Sequence, residues 1–290
     1  MRPTEAADVR DGTGAERSGD PDRAAAPVAA AAARSRGAGL AERATGVALG
    51  LAGIGVVVAA WAVLAAVLDS SSLSSPVQVA RQLPHLLADP TFRGQSWDTV
   101  WTWLVSLVVT IVVVVPVGLL VGCVAWLNRP VSLAVNALRS IPSTAMIPIA
   151  ILLFGLGQEM KLAVTLYAVA WPVLINTIYG VAGTDPMRVD TARMLHWNRR
   201  TRLWHVVLPS ALPSVATGLR VASGIALIVV VSTELLGASS GIGTLILSYQ
   251  MADRMDQAYA AIIVTGTFGF ALYGLFAAVD ARLTRWQQVG

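Results

Sequence analysis

Lysine usage sets the first limit on the chemistry this chain can do. Lys161 is the only lysine among 21 basic residues. A nucleotide-binding P-loop needs Gly-Lys-Ser/Thr, because the lysine reaches the phosphates and the hydroxyl holds magnesium. Lys161 follows Met160 and precedes Leu162, so the chain has no such loop and is not itself an ATPase. Residues 237–241, Gly-Ala-Ser-Ser-Gly, match the G-x-S-x-G nucleophile pattern. That pattern works on a strand–turn–helix with a histidine partner. Here it follows an apolar run with no histidine nearby, so a flexible turn is expected. His85, His196 and His205 are scattered, without metal-ligand partners. Cys123 is alone in an apolar run, which allows neither an intrachain disulfide nor a cysteine metal site. No catalytic residue, metal or cofactor is expected on this chain.

Two other ionisable residues stand out because they fall on an apolar span. Arg220 and Glu234 are fourteen residues apart, about 21 Å along a helix and on nearly one face. They are too far apart to pair with each other. Ionisable groups inside a membrane are costly and point to function by default. Arg220 is expected to snorkel to the inner interface or to anchor the polar segment before it.

The elements that must position these residues are membrane spans. The chain is 55% hydrophobic and 13% charged, against about 25% charged for soluble domains. Six runs are long enough to cross a hydrocarbon core: 44–68, 100–127, 131–157, 162–181, 210–236 and 258–279. Residues 1–43 carry seven acids and seven arginines without apolar periodicity and are read as a disordered cytoplasmic tail ahead of a six-helix domain, 44–290. Residues 69–99 are read as a polar loop holding a short amphipathic helix, and 158–161 as a polar turn. Gly118 and Gly122 form a GxxxG that permits close helix approach. Pro142 and Pro148 interrupt the third run. The freed backbone there is tolerated only against protein or a water-lined cavity, which fits either a bent, pathway-lining helix or a kinked packing helix.

With the N-terminus inside, the inner segments hold sixteen Lys and Arg against four in the outer loops, or nine against four without the tail. The positive-inside rule then places both termini in the cytoplasm. The arginines flank apolar spans and form no single patch, which argues against nucleic acid.

The most structured polar segment is 183–213, with five arginines and two closing prolines. Asp185 and Pro186 read as a helix N-cap and first position. Leu208 precedes Pro209 and is expected to leave the helical region, with Ser210 capping a new helix. Met187, Thr191, Met194 and Leu195 share one helical face. Such a helix could lie on anionic lipid heads or dock on a protein.

Asp190-Thr191-Ala192-Arg193, His196, Val207-Leu208-Pro209 and Ala211-Leu212-Pro213 resemble the "EAA" loop of permease subunits of bacterial binding-protein-dependent ABC importers. Gly218-Leu219-Arg220, Thr233-Glu234-Leu235-Leu236 and Gly241-Ile242-Gly243 continue the resemblance. So do the run from Ile141 to Pro148 and Phe154-Gly155-Leu156-Gly157. The similarity covers residues 70–285 and is nearest the nitrate/sulfonate/taurine branch. It departs at three places: Asp190 stands for the motif's glutamate, Thr191 for its first alanine, and His196 for its glycine. A histidine there must adopt a left-handed conformation if the turn is kept.

The resemblance implies an all-α membrane protein with six transmembrane helices and a cytoplasmic coupling helix. It implies a non-catalytic permease in the cytoplasmic membrane, with ATP and magnesium on separate ABC ATPase subunits. Docking would fall on Asp190, Thr191, Ala192, Arg193, Met194, Leu195, His196, Leu208 and Pro209. The pathway or gate would involve Pro142, Pro148, Arg220 and Glu234, with Glu234 facing a dimer interface or outer gate. Two permease copies, as a homodimer, would form one pathway, and an extracytoplasmic solute-binding protein would deliver a small anion such as a sulfonate or nitrate. An ATPase-independent secondary transporter is the alternative. It would call for an inverted repeat and acidic residues in the spans, and the sequence shows no detectable repeat and few such acids.

Overall fold

Small residues decide where these helices touch, because lipid is as apolar as leucine and close backbone approach replaces the hydrophobic drive. A computed structural model of the chain describes residues 45–46, 48–68 and 73–284. The tail expected over 1–43 lies outside them. Two units are distinguished, Met1–Val63 and Leu64–Gly290. Helix α1, Ala48–Leu68, is charge-free and 21 residues long.

The first helix wholly within the second unit is α2, Pro76–Ala88, entered through a capping box between Ser75 and Gln78. A single residue, Asp89, then caps α3, Pro90–Val109. The expected polar loop over 69–99 is therefore helical from Pro76 onward. α3 continues through a π turn, Thr110–Val114, into α4, Val115–Cys123. Next come α5, Ala125–Leu138, a 3₁₀ turn at Ser143–Met146, and α6, Ile147–Phe154. α5 and the segment Ser143–Phe154 are bent by 75°. Helix α7, Gln158–Ala182, starts at once after Gly157. The polar turn expected at 158–161 is its first turn, and Met160 and Lys161 are fully buried.

The segment 183–207 holds α8, Pro186–Met194, and α9, Arg199–Arg202, followed by a second π turn at Leu203–Val207. α10, Leu208–Leu236, follows without a break. The expected interruption at Leu208 is thus absent: Leu208 has φ −62° and ψ −47°, and Ser210 caps nothing. Proline clashes with the carbonyl four residues back and donates no hydrogen bond. A π turn ending two residues before Pro209 widens the backbone there, so the chain stays helical. The other π turn ends two residues before Pro116 in the same way. α11, Ile242–Met251, and α12, Met255–Thr284, complete the described residues.

Among the described residues, five helices are long and apolar enough to cross a membrane, and the bent pair makes a sixth if it is one span. α7 forms the axis of the second unit. A Cβ on Gly118 or Gly122 would meet the Thr177 or Val181 side chain at 2.7 Å, so the GxxxG of α4 is a packing seam against α7. A Cβ on Gly180 would meet the Ala211 carbonyl at 2.9 Å, and one on Gly218 would meet Asn176 at 2.8 Å and the Pro172 carbonyl at 3.2 Å. α7 and α10 therefore run antiparallel with nearly touching backbones. Trp103 of α3 closes another side, donating to the Ser223 carbonyl at 2.9 Å and packing edge-on to Phe268 and Phe276 of α12.

Candidate functional site

The polar segment between α7 and α10 is built from consecutive caps. Asp185 accepts from the Met187 amide at 2.9 Å with Pro186 in the first turn, as local chemistry requires. α8 ends in a Schellman arrangement: the His196 amide donates to the Arg193 carbonyl at 2.9 Å and the Trp197 amide to the Ala192 carbonyl at 3.0 Å. His196 occupies the left-handed position, with φ 55°. Asn198 then caps α9, accepting from the Thr201 amide at 2.8 Å. Trp197 sits edge-on to His205, with 5.8 Å between ring centroids.

This folded knob exposes apolar surface. Met187 and Met194 are about three-quarters exposed and Leu195 is 59% exposed. Asp190, Thr191, Arg193 and His196 are exposed beside them. Asp190 and Arg193 form an ion pair at 2.9 Å, which contributes little on an open surface. Ala192 is buried beneath this surface. Leu208 and Pro209 are half-buried in the first turn of α10. A groove of about 280 Å³ runs between α8 and the second π turn, floored by Ala192 and Pro209 and walled by Trp197 and His205.

The other expected residues do not gather with the knob or with one another. Pro142 and Pro148 are exposed at the bend after α5. There the Leu138 carbonyl accepts from the Ile141 amide at 3.0 Å and from the Tyr167 hydroxyl at 2.6 Å, so it stays paired across the break. Arg220 is half-buried on α10.

Glu234, expected at a dimer interface or outer gate, is 1% exposed inside its own protomer. Its carboxylate accepts from the Lys161 ammonium at 3.3 Å, the Thr99 hydroxyl at 2.9 Å and the Gly243 amide at 3.0 Å. Lys161 also donates to the Ser240 carbonyl at 3.1 Å. The Thr99 oxygen accepts from the Ile242 amide at 2.9 Å, and the Gln95 side chain accepts from the Gly241 amide. Residues 237–241 are thus a pinned turn and not a flexible one, with Ser239 also held to the Leu156 carbonyl at 2.9 Å.

Residues 114–285, more than half of the chain, match the family of binding-protein-dependent transport system inner membrane components. The chain belongs to this family. It is an ABC transporter permease, an inner-membrane, multi-pass and non-catalytic subunit whose ATPase is a separate chain. It is 26% identical over 238 residues to the putative aliphatic sulfonates transport permease SsuC of Bacillus subtilis, covering 80% of this chain and 85% of the relative. It is 28% identical to the taurine transport permease TauC of Escherichia coli, covering 74% and 80%. It is 27% identical to the nitrate import permease NrtB of Leptolyngbya laminosa, covering 73% and 80%. Its fold is similar to a chain of the inward-facing MetNI methionine ABC transporter, with a TM-score of 0.57, 19% identity, and 67% and 97% of the two chains covered.

Sequence reasoning about the permease missed Gln95, Thr99 and Lys161. The available signal was the uniqueness of Lys161, which gave no hint of a partner 73 residues away. Outside the spans, the Tyr249 phenol is pushed above its usual value by burial and then by Asp89, with Arg254 opposing from 5.6 Å over the ring. It stays neutral through physiological pH. The left-handed His196 carries a strain that glycine lacks. His196→Gly is therefore expected to raise the melting temperature of the purified permease slightly and leave uptake unchanged. A fall in either would show that the imidazole does more than close the turn.

Proposed function

We propose that this permease docks its ATPase at the knob between α7 and α10, works as a homodimer, and imports a small organic or inorganic anion. Both termini lie in the cytoplasm on this reading, following the excess of arginine in the inner segments. The observation that carries the docking is the exposed Met187–Met194–Leu195 surface on a segment capped at each turn. A knob must be stiff to transmit force, and it must be apolar at its tip to bury area in a groove. Ala192 supports this surface from beneath and does not itself meet the partner. Arg199 and Arg200 are exposed on the same segment and suit lipid heads, whereas the apolar tip suits a protein groove. The permease supplies no catalytic group. ATP and magnesium act on the partner, whose closure favours one access state by differential affinity.

The anion reading rests on the relatives named for sulfonates, taurine and nitrate, and on α5. Asn128, Ser132 and Asn136 form one row on that helix beside Arg129, lining a groove of about 530 Å³ that has no acidic residue in its walls. Arg139 lines the adjoining groove with Tyr179. Pro142 and Pro148 lie at the bend just beyond, on the same proposed path, and Arg220 would anchor the knob from α10.

Accumulation of labelled taurine, an alkanesulfonate and nitrate in cells with and without this permease tests the anion. ATP-dependent accumulation of one of them should vanish with the permease. Loss of a neutral or cationic solute, with all anions unaffected, would contradict it.

A further inference from the structure

The buried ion pair does something that fold stability alone does not require. Two charges withdrawn from solvent gain no more, on balance, than an apolar pair of the same volume. What they add is direction, because hydrogen bonds weaken steeply off-angle and so fix orientation. Lys161 and Glu234, both about 1% exposed or less, orient four elements at once. Gln95 and Thr99 belong to α3, Lys161 to the first turn of α7, Glu234 to the last turn of α10, and the Ile242 and Gly243 amides to the start of α11. Wrapping is tight: a Cβ on Gly241 would run into the Glu234 carboxylate, and one on Gly243 would meet Glu234 Cβ at 2.7 Å.

The position of this cage matters as much as its geometry. α7 enters the knob at its far end, Ala182, and α10 leaves the knob at Leu208. Lys161 and Glu234 therefore join the two knob-flanking helices at their opposite ends, roughly 30–40 Å away along the rods. Between cage and knob, the two helices are in backbone contact at Gly218 and Gly180. α7 and α10 form one stiff lever, clamped at one end by the ion pair and carrying the knob at the other.

We propose that Lys161 and Glu234 are positioning residues through which the loaded solute-binding protein, acting on the side opposite the knob, controls ATP hydrolysis by the docked ATPase. The proposal rests on the docking reading above. Coupling would travel through packed, rigid elements, with no contact between the pair and either partner or solute.

The test uses the whole transporter in proteoliposomes, measuring ATP hydrolysis without and with the solute-loaded binding protein. Lys161→Met with Glu234→Gln removes both charges at nearly constant volume and leaves no orphan ion. Basal hydrolysis and melting temperature should stay near wild type, while stimulation by the loaded binding protein falls by roughly fivefold or more. Thr99→Val, which removes the hydroxyl shared by the Glu234 carboxylate and the Ile242 amide without changing any charge or much volume, should give the same loss. Stimulation retained in both variants overturns the proposal. So does a parallel fall in basal and stimulated rates together with the melting temperature, which would make the pair purely structural. A wild-type transporter whose ATPase does not bind at the knob would overturn the docking reading and this proposal with it; normal docking with unaltered stimulation in the variants overturns this proposal alone.

Discussion

Leu195→Asp is expected to abolish ATP-dependent uptake while the permease stays abundant in the membrane. Leu195 is 59% exposed at the end of α8, so its replacement removes little internal packing, and surface changes of this kind shift stability by about 0.5 kcal/mol or less. In the docked state the same position would lie in an apolar contact. Losing a central anchor there costs about 2–4 kcal/mol, or roughly 30- to 1,000-fold in affinity. Arg193→Glu should act in the same direction but more weakly, because Arg193 lies in an exposed ion pair with Asp190. Uptake and membrane abundance measured side by side check this. Wild-type uptake in Leu195→Asp would remove the knob from the mechanism.

Glu234→Ala should be the most damaging single substitution to the fold. It strips Lys161 of its counter-ion and leaves the ammonium, fully buried, with the Ser240 carbonyl as its one recorded partner. Breaking a buried pair from one side costs about 3–5 kcal/mol. The Gly243 amide loses its acceptor as well, and the Thr99 hydroxyl is left with the Gln95 carbonyl at 3.3 Å. The melting temperature and yield of the purified permease should fall sharply. Combining Glu234→Gln with Lys161→Met should be far milder than the single changes added together, because neither partner is then left charged and alone. Equal losses in the single and double variants would mean that the pair is not coupled.

The sequence was most informative where structure is local. Asp185-Pro186 fixed the start of α8, and the left-handed turn expected at His196 is present at φ 55°. Apolar length marked the spans, and the Gly118–Gly122 spacing marked a true seam. Legibility failed where a rule assumed one hydrogen-bonding pattern or where a partner was distant. The rule about residues before proline presumes α geometry, and two π turns evade it ahead of Pro116 and Pro209. Lys161 comes two residues after Glu159 and three after Gln158, which reads as a polar turn, and nothing in periodicity ties it to Glu234. The pinned 237–241 turn failed for the same reason, since its partners come from α3 and α7.

The most direct test of the knob as the coupling element is a site-specific cross-link. Cys123 is the only native cysteine, so Cys123→Ser gives a thiol-free permease into which Met194→Cys, on the knob's most exposed apolar residue of α8, places one reactive group. A thiol-attached photoactivatable probe is cross-linked in native membranes and the products are identified by mass spectrometry. The account predicts one dominant adduct, a P-loop ATPase, with a yield that changes when ATP is added. Adducts to lipid alone, in membranes that still carry out ATP-dependent uptake, would contradict it.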